Sequence, residues 1–211
     1  MTGTGGNITT SAYYDTAFSV SGATVYASFQ HASWGGSGAD GIAFFLLDGS
    51  ETFSVGAIGG SLGYAQKTGL DGLAGGYIGV AVDEYGNFSN GTEGRVGGIG
   101  RTVDSISIRG DEATSYAYLG GSGTLATSID MPGVGSRSTT INTVQILLTA
   151  TNQLTVTLQQ GAVAAQTVLQ LDLSSSIRPE TLKLGFTSGT GGANNYHEVR
   201  NVEASTVAAS L

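Results

Sequence analysis

The sequence contains no cysteine, only two prolines and few charged residues: Lys and Arg together number eight, against sixteen Asp and Glu, in 211 residues. Without cysteine, disulfide bonds and thiolate metal sites are excluded. Affinity for nucleic acid depends mainly on the neutralisation of phosphates by Lys and Arg. A formal net charge of −8 with no basic cluster therefore argues against a nucleic-acid partner.

Long apolar runs are also missing. No run approaches the ~20 residues that a membrane-spanning helix needs, so membrane insertion is not expected. The first fourteen residues, MTGTGGNITTSAYY, contain neither the basic nor the apolar part of a signal peptide. What the chain has instead is glycine, 35 residues of it, together with many Ser and Thr. This acidic, charge-poor composition is typical of segments of large bacterial surface proteins and predicts an extracellular location.

Alternation of apolar and polar residues runs along the whole chain, whereas helical periodicity is absent. The segments TVYASFQ, NQLTVTLQQ and TLKLGFTS each place apolar residues on one face of a strand. The runs IAFFLL and VQILLT are apolar throughout and predict strands that are covered on both faces. Many strands separated by turns predict an all-β antiparallel sandwich. No linker divides the chain, so residues 1–211 are predicted to form a single domain.

The segment GGSGADGIAFFLLDG, from Gly35 to Gly49, raises the question of what Asp40 does. Its first nine residues fit one turn of a calcium-binding β-roll. Such a roll needs tandem copies, because one turn cannot bury its own face, and no second copy follows. The roll is therefore rejected, and Asp40 is either a recognition residue on a loop or a cap on the strand that follows it.

The densest set of polar side chains lies in residues 75 to 95, GGYIGVAVDEYGNFSNGTEGR. Asp83, Tyr85 and Asn87 are spaced by two, so they share one face of an extended segment. A carboxylate, a backbone carbonyl and an amide oxygen are the ligand types that a hard cation prefers. The alternative is a polar strand end that enters a turn, and the spacing alone favours that alternative.

Catalytic patterns are weak. A glycosidase needs two converging carboxylates about 5 to 9.5 Å apart, whereas Asp83 and Glu84 are adjacent and diverge across a strand. The two histidines, His31 and His197, come without an H-E-x-x-H or G-x-S-x-G frame. We predict no covalent chemistry, and we do not expect an enzyme.

Five segments, in the right order along the chain, resemble the legume-type (L-type) lectins. They are ADGIAFFLL, GAIGGSLGY, GVAVDEYGN, TVQILLTATNQLTVTLQ and RPETLKLGFTSGTGGANNYHEVRNVEAS. The segment YGNFSNGTEGR resembles the bacterial branch of this family, which occurs in large secreted or surface adhesins. The resemblance implies a concanavalin-like, jelly-roll sandwich that binds glycans, carried within a larger adhesin polypeptide.

The resemblance also assigns roles to residues of the sugar site. It implies that Asp40 accepts hydrogen bonds from sugar hydroxyls and follows a cis peptide bond after Ala39. Gly60 would donate its backbone N–H to the sugar, and Asn87 would serve both the sugar and a calcium ion. A loop from Gly191 to Asn195, which includes Ala193 and Asn194, would select the monosaccharide. The aromatic residues that could supply a stacking face are Trp34, Tyr64 and Tyr196.

For the metal, the resemblance implies Ca²⁺ held by Asp83, the carbonyl of Tyr85 and Asn87. Two departures remove the family's transition-metal site: Ala81 and Ser105 stand where its glutamate and histidine ligands would be. A third departure places Gly91 where the second calcium aspartate would stand, and Asp104 and Glu93 are the candidates to replace it. Because calcium affinity follows ligand charge, the expected calcium binding is weak.

Two other functions stay open at this point. The chain could be a structural or protein-binding module that kept the sandwich and lost the sugar site, because fold does not fix function. It could also be a glucanase-like glycoside hydrolase, which would require a converging pair of carboxylates in the folded protein.

Overall fold

A computed structural model describes residues 1–137 and 141–208, and it shows two antiparallel sheets that face each other. In chain order, the strands are β1 (Thr9–Ser19), β2 (Ala23–Trp34), β3 (Gly41–Asp48), β4 (Gly76–Asp83), β5 (Ser105–Arg109), β6 (Tyr118–Gly121), β7 (Asn142–Leu148), β8 (Gln153–Gln160), β9 (Gln166–Asp172), β10 (Thr181–Gly189) and β11 (Tyr196–Ala208). One sheet has the order β1-β10-β3-β4-β5-β6, and the other has the order β11-β2-β7-β8-β9. The predicted all-β sandwich is confirmed.

Helical structure among the described residues is confined to two short 3-10 turns, Gly59–Ser61 and Glu112–Thr114. Neither is long or apolar enough to cross a membrane. The first of these turns carries Gly60, one of the residues predicted to bind sugar.

The main core fills the space between the two sheets. Its centre is an aromatic cluster in which Phe29 from β2 meets Phe186 edge-on, with ring centroids 4.8 Å apart. Phe44 from β3 lies 5.6 Å from Phe186 in a similar edge-on arrangement. Burying each such side chain contributes roughly 1.5–3 kcal/mol, and edge-to-face aromatic pairs add to that. The alternation of apolar and polar residues in the sequence results from this burial of one face of each strand.

A second, smaller core covers the outer face of the six-stranded sheet. Phe45 and Leu47 of β3 point into it, and Leu62, Tyr64 and Leu73 from the segment between β3 and β4 close it from outside. The run IAFFLL is therefore buried on both faces, as its uninterrupted apolar sequence predicts.

The same prediction is wrong for VQILLT. Strand β7 alternates between buried and open positions, and Leu147 is 39 % exposed. The physical reason is the environment of the sheet rather than the strand. Among the described residues, no segment comparable to the one between β3 and β4 covers this strand, so Leu147 faces solvent.

The register of three neighbouring strands brings distant residues together at one end of the six-stranded sheet. Gly41 at the start of β3 pairs with Gly189 at the end of β10. Gly41 also pairs with Asp83 at the end of β4. The residues just beyond these ends are Asp40, Thr190 and Glu84, so three loops must meet there.

Candidate functional site

A polar depression of about 440 Å³ lies where those loops meet. The residues that line it are Asn7, Asp40, Ile58, Gly59, Gly60, Lys67, Tyr85, Asn87, Glu93, Gly191, Gly192 and Ala193. The depression thus brings together four of the five residues that the sequence analysis assigned to sugar binding: Asp40, Gly60, Asn87 and Ala193.

Asp40 is held in place through its backbone. Its N–H donates to the carbonyl of Gly189 at 3.2 Å, and its carbonyl accepts from the N–H groups of Glu84 at 3.0 Å and Tyr85 at 3.3 Å. The Ala39–Asp40 peptide bond is cis, the conformation that the resemblance implies. The residue is only 4 % exposed, yet its Oδ2 atom has no hydrogen-bond partner among the described residues.

Burial raises the pKa of Asp40 from 3.8 to about 7. Of the charges that face it, His197 and Arg95 act to lower that pKa, whereas Glu84 and Glu93 act to raise it. Desolvation penalises the charged form, and no partner for Oδ2 offsets that penalty. A buried acceptor in this state is satisfied when a ligand brings a hydroxyl donor to it.

Glycines let the other site residues approach each other closely. A Cβ at Gly60 would lie 2.2 Å from the Cβ of Asn87, far inside contact distance, so only glycine fits there. A Cβ at Gly191 would lie 3.2 Å from Oδ2 of Asp40. Backbone from the 3-10 turn and from the loop after β10 therefore packs directly against the two polar side chains.

The loop after β10 is anchored at its first residue. The hydroxyl of Thr190 donates to the carbonyl of Gly5 at 2.9 Å and accepts from the N–H of Ile8 at 3.1 Å. Both partners belong to the N-terminal segment, which therefore fixes the start of the loop. Within the loop, Ala193 lines the depression, whereas Asn194 does not. The backbone N–H of Asn194 donates to the Ser37 hydroxyl at 3.2 Å.

The same loop is anchored at its far end by Asn195, which is fully buried. Its amide nitrogen donates to Oε2 of Glu84 at 2.8 Å and to Oδ2 of Asp130 at 2.7 Å. Its amide oxygen accepts from the N–H of Gly36 at 2.9 Å. The two anchors leave residues 191–194 as the part of the loop that lies between them.

Glu84 in turn belongs to a buried cluster beneath the depression. Its Oε1 lies 3.0 Å from Nε2 of His197 and 3.6 Å from Nε2 of His31. Burial raises the pKa of Glu84, but the neighbouring imidazoles outweigh that effect and the net direction is downward. Burial lowers the pKa of His31 to about 4, so it is neutral at pH 7. His197 is buried in the same cluster.

The fold of the chain is similar to that of several proteins of known structure. The chain aligns with a peanut lectin structure with a TM-score of 0.69 and 21 % identity, covering 99 % of this chain and 85 % of that one. It aligns with a Lotus tetragonolobus seed lectin with a TM-score of 0.70 and 17 % identity, covering 98 % and 84 %. The chain has the L-type lectin fold.

A third neighbour with this L-type lectin fold is the lumenal domain of VIP36 in its Ca²⁺/Man₃GlcNAc-bound form. It has a TM-score of 0.64 and 13 % identity, and the alignment covers 100 % of this chain and 78 % of that domain. No family model matches the sequence, and no curated protein does either. At these identities, the comparisons establish the fold alone, while all three named neighbours are lectins.

Of the aromatic residues predicted to face a sugar, Tyr64 is excluded because it is fully buried and its hydroxyl donates to the carbonyl of Gly110 at 2.9 Å. Trp34 and Tyr196 stack on each other with centroids 5.5 Å apart, outside the lining of the depression. The aromatic residue that does line it is Tyr85. Sequence reasoning considered only the carbonyl of Tyr85, although its spacing of two from Asn87 places both on one face.

The predicted calcium ligands do not fit a calcium ion in this chain. Both oxygens of Asp83 accept backbone N–H groups, from Gly86 and Phe88, each at 2.8 Å. The carbonyl of Tyr85 accepts from Nε of Arg101 at 2.8 Å, so a cationic side chain stands against it. Within residues 1–137 and 141–208, no group of three or more His, Cys, Asp or Glu could hold a metal ion.

The two candidate replacement ligands are engaged elsewhere. Glu93 pairs with Lys67 and with Arg95, each at 3.1 Å. Asp104 accepts from the Ser128 hydroxyl at 3.0 Å and from the N–H of Ile129 at 3.1 Å. Both carboxylates therefore have partners outside the set formed by Asp83 and Asn87.

A second cavity, of about 430 Å³, lies between strands β1 and β11 at the open side of the sandwich. Its lining consists of Tyr14, Phe18, Val25, Leu184, Val202, Ala204, Ser205 and Thr206. None of these side chains is charged, so the cavity offers no charged acceptor for the hydroxyls of a polar ligand. The depression at Asp40 is the better candidate.

Proposed function

We propose that the chain binds carbohydrate in the depression at Asp40 and performs no covalent chemistry there. The observation that carries this proposal is the buried Oδ2 of Asp40. It has no hydrogen-bond partner among the described residues and lies between the glycine backbones of two loops. A sugar hydroxyl is a donor of the right size and polarity to satisfy it.

The remaining residues complete a set that suits vicinal hydroxyls. The carboxylate of Asp40 accepts, the backbone N–H of Gly60 donates, and the amide of Asn87 can do both. Tyr85 also lines the depression. Lys67 and Glu93 neutralise each other at the rim, which favours an uncharged sugar over an acidic one.

This arrangement also disfavours the glucanase reading. The two carboxylate side chains in the lining are Asp40 and Glu93. Both oxygens of Glu93 are paired with cations, so Glu93 is poorly suited to act as the second catalytic carboxylate.

In biological terms, we propose a glycan-binding module of a bacterial secreted or cell-surface adhesin, located outside the cell and joined to a larger polypeptide. The acidic, charge-poor composition supports this context. Display of several copies raises the avidity of a module that binds single sugars weakly. Calcium assistance, which the resemblance implies, is not part of the proposal because the ligand set does not fit.

The direct test is a glycan-array screen of the purified chain, displayed multivalently, in the presence of CaCl₂ and again in EDTA. We expect binding to a defined class of neutral glycans in both conditions. Binding that disappears in EDTA would keep the lectin function and restore the metal to it. If no glycan binds in either condition, the carbohydrate proposal fails and the structural-module reading takes its place.

Glycan binding is also expected to depend on pH. Sugar hydroxyls donate to the ionised form of Asp40, whose pKa is about 7 in the folded protein. Binding should therefore be full at pH 8 and should fall as the carboxylate is protonated, by about 30-fold at pH 5.5 if only the ionised form binds. Titration of the best array ligand by calorimetry across this range measures the effect. An affinity that stays constant from pH 8 to 5.5 would contradict the assigned role.

A further inference from the structure

Three arginines organise the long loop between β4 and β5, which carries Tyr85 and Asn87. Arg109, at the end of β5, is fully buried. Its guanidinium donates to five backbone carbonyls: those of Phe88 (2.7 Å), Val96 (2.7 Å), Tyr116 (2.8 Å), Asn90 (3.2 Å) and Gly97 (3.4 Å). A guanidinium has five N–H donors in a fixed plane, so one side chain satisfies carbonyls from several turns of the loop at once.

Arg95 connects the same loop to the 3-10 turn that carries Gly60. Its side chain is fully buried. Nε donates to the carbonyl of Asn90 at 3.1 Å, and Nη1 donates to the hydroxyl of Ser61 at 3.1 Å. Because Ser61 directly follows Gly60, this contact sets the distance between the two halves of the depression.

Arg101 contacts the carbonyl of Tyr85, the oxygen that was predicted to bind calcium. Its Nε donates to the carbonyl of Tyr85 at 2.8 Å, and its guanidinium carbon lies 3.9 Å from the centroid of the Tyr85 ring. This places a fixed positive charge against the oxygen that was predicted to bind calcium. A divalent cation at that oxygen would meet electrostatic repulsion from Arg101 and competition for the same lone pairs.

We propose that arginine side chains replace a divalent cation in this protein: Arg101 and Arg109 position Tyr85 and Asn87, and the folded loop needs no metal. The inference rests on the proposed function only in assigning the loop to sugar binding. The negative ends of many carbonyl dipoles converge in this loop, and a converging set of carbonyls needs a cation or N–H donors to stabilise it. Here the guanidinium groups supply both the positive charge and the N–H donors.

The first test uses the metal alone, without any sugar. CaCl₂, MgCl₂ and MnCl₂ are titrated separately into EDTA-treated protein by calorimetry, and the melting temperature is measured with and without each ion. We expect no stoichiometric heat and no change in melting temperature, because an ion that does not bind the native state cannot stabilise it. One-to-one binding with a dissociation constant below about 100 μM would overturn the inference.

The second test examines Arg101 as a positioning residue. In Arg101→Gln, amide hydrogen exchange across residues 84–88 should accelerate at least tenfold, while exchange in the strands of the five-stranded sheet stays unchanged. Arg101→Lys, which keeps the charge, should recover part of the protection. Arg200→Gln is the matched control, because Arg200 is an exposed arginine on β11 that contacts Gln30. Equal protection in all three variants would show that Arg101 does not hold the loop.

These tests fail independently of the proposed function. A chain that binds glycans and also binds calcium would retain the lectin function and lose the arginine replacement. A chain that binds no glycan but keeps its loop without metal would lose the lectin function and retain the arginine replacement.

Discussion

Asp40→Asn is expected to reduce glycan affinity at least about 100-fold, because two sugar hydroxyls each lose a charge-assisted hydrogen bond worth roughly 1.5–3 kcal/mol. The asparagine keeps the shape of the side chain, so the backbone contacts of Asp40 to Gly189, Glu84 and Tyr85 should persist. Calorimetry or biolayer interferometry with the best array ligand measures the loss.

The same substitution should leave the protein as stable as before, or make it more stable, above pH 7. The pKa of Asp40 is about 7 in the folded protein and 3.8 in the unfolded chain. Between pH 3.8 and pH 7 the unfolded chain ionises more readily than the folded protein, so the free energy of unfolding falls as the pH rises. The contribution of this group to stability is greatest below pH 4 and is lost as the pH rises through 7. Asparagine has no such ionisation, so loss of binding combined with an unchanged or raised melting temperature identifies a ligand-binding residue rather than a structural one.

Asp71→Asn serves as the control, because Asp71 is an exposed aspartate outside the lining of the depression. It should bind glycan like the original chain. If Asp40→Asn also binds normally, the sugar does not use this carboxylate and the site assignment is wrong.

Arg109→Met is expected to have the largest effect on stability, a loss of at least about 4 kcal/mol. Methionine fills a similar volume but removes the donor that five backbone carbonyls share. Among the described residues, the carbonyls of Phe88, Tyr116 and Gly97 have no other donor, and each orphaned buried acceptor costs roughly 1–3 kcal/mol. Burial lowers the pKa of Arg109 to about 10, so the side chain is still a cation at neutral pH. For a chain of this size, the loss corresponds to a fall in melting temperature of roughly 10 °C or more.

Chemical denaturation and thermal melting measure this loss, and a second variant guards against a chain that simply fails to fold. Arg109→Lys retains the charge but has three donors on one nitrogen, which cannot span the five carbonyls, so it should recover less than half of the lost stability. Arg200→Met controls for the removal of an arginine from the surface. A loss below 1 kcal/mol in Arg109→Met would show that the loop does not depend on this guanidinium.

The strands could be predicted from the sequence wherever one face is buried. Alternation in TVYASFQ and NQLTVTLQQ reflects the single core beneath β2 and β8. It could not reveal that VQILLT is open on one face, because that depends on whether another segment covers the sheet. The burial of Tyr64 depends in the same way on the fold of the segment between β3 and β4.

The candidate site divides along similar lines. Asp40, Gly60 and Asn87 could be predicted as sugar-binding residues because the resemblance attaches roles to short motifs, and these residues do converge on one depression. The arginines were missed because their acceptors are backbone carbonyls, which carry no sequence signature. The cluster of Glu84 with His31 and His197 was missed because its members come from three strands or strand ends that are far apart in the chain.

The two anchors of the loop after β10 have a consequence for protein engineering. Thr190 and Asn195 fix the ends of the loop through buried hydrogen bonds, and between them a Cβ at Gly192 would meet no atom within 4 Å. Gly192 and its neighbour Ala193 thus form a short cassette in which many side chains can be exchanged without disturbing the sandwich. Such a cassette, randomised at these two positions and selected on immobilised glycans, would turn one scaffold into a set of reagents with different sugar preferences.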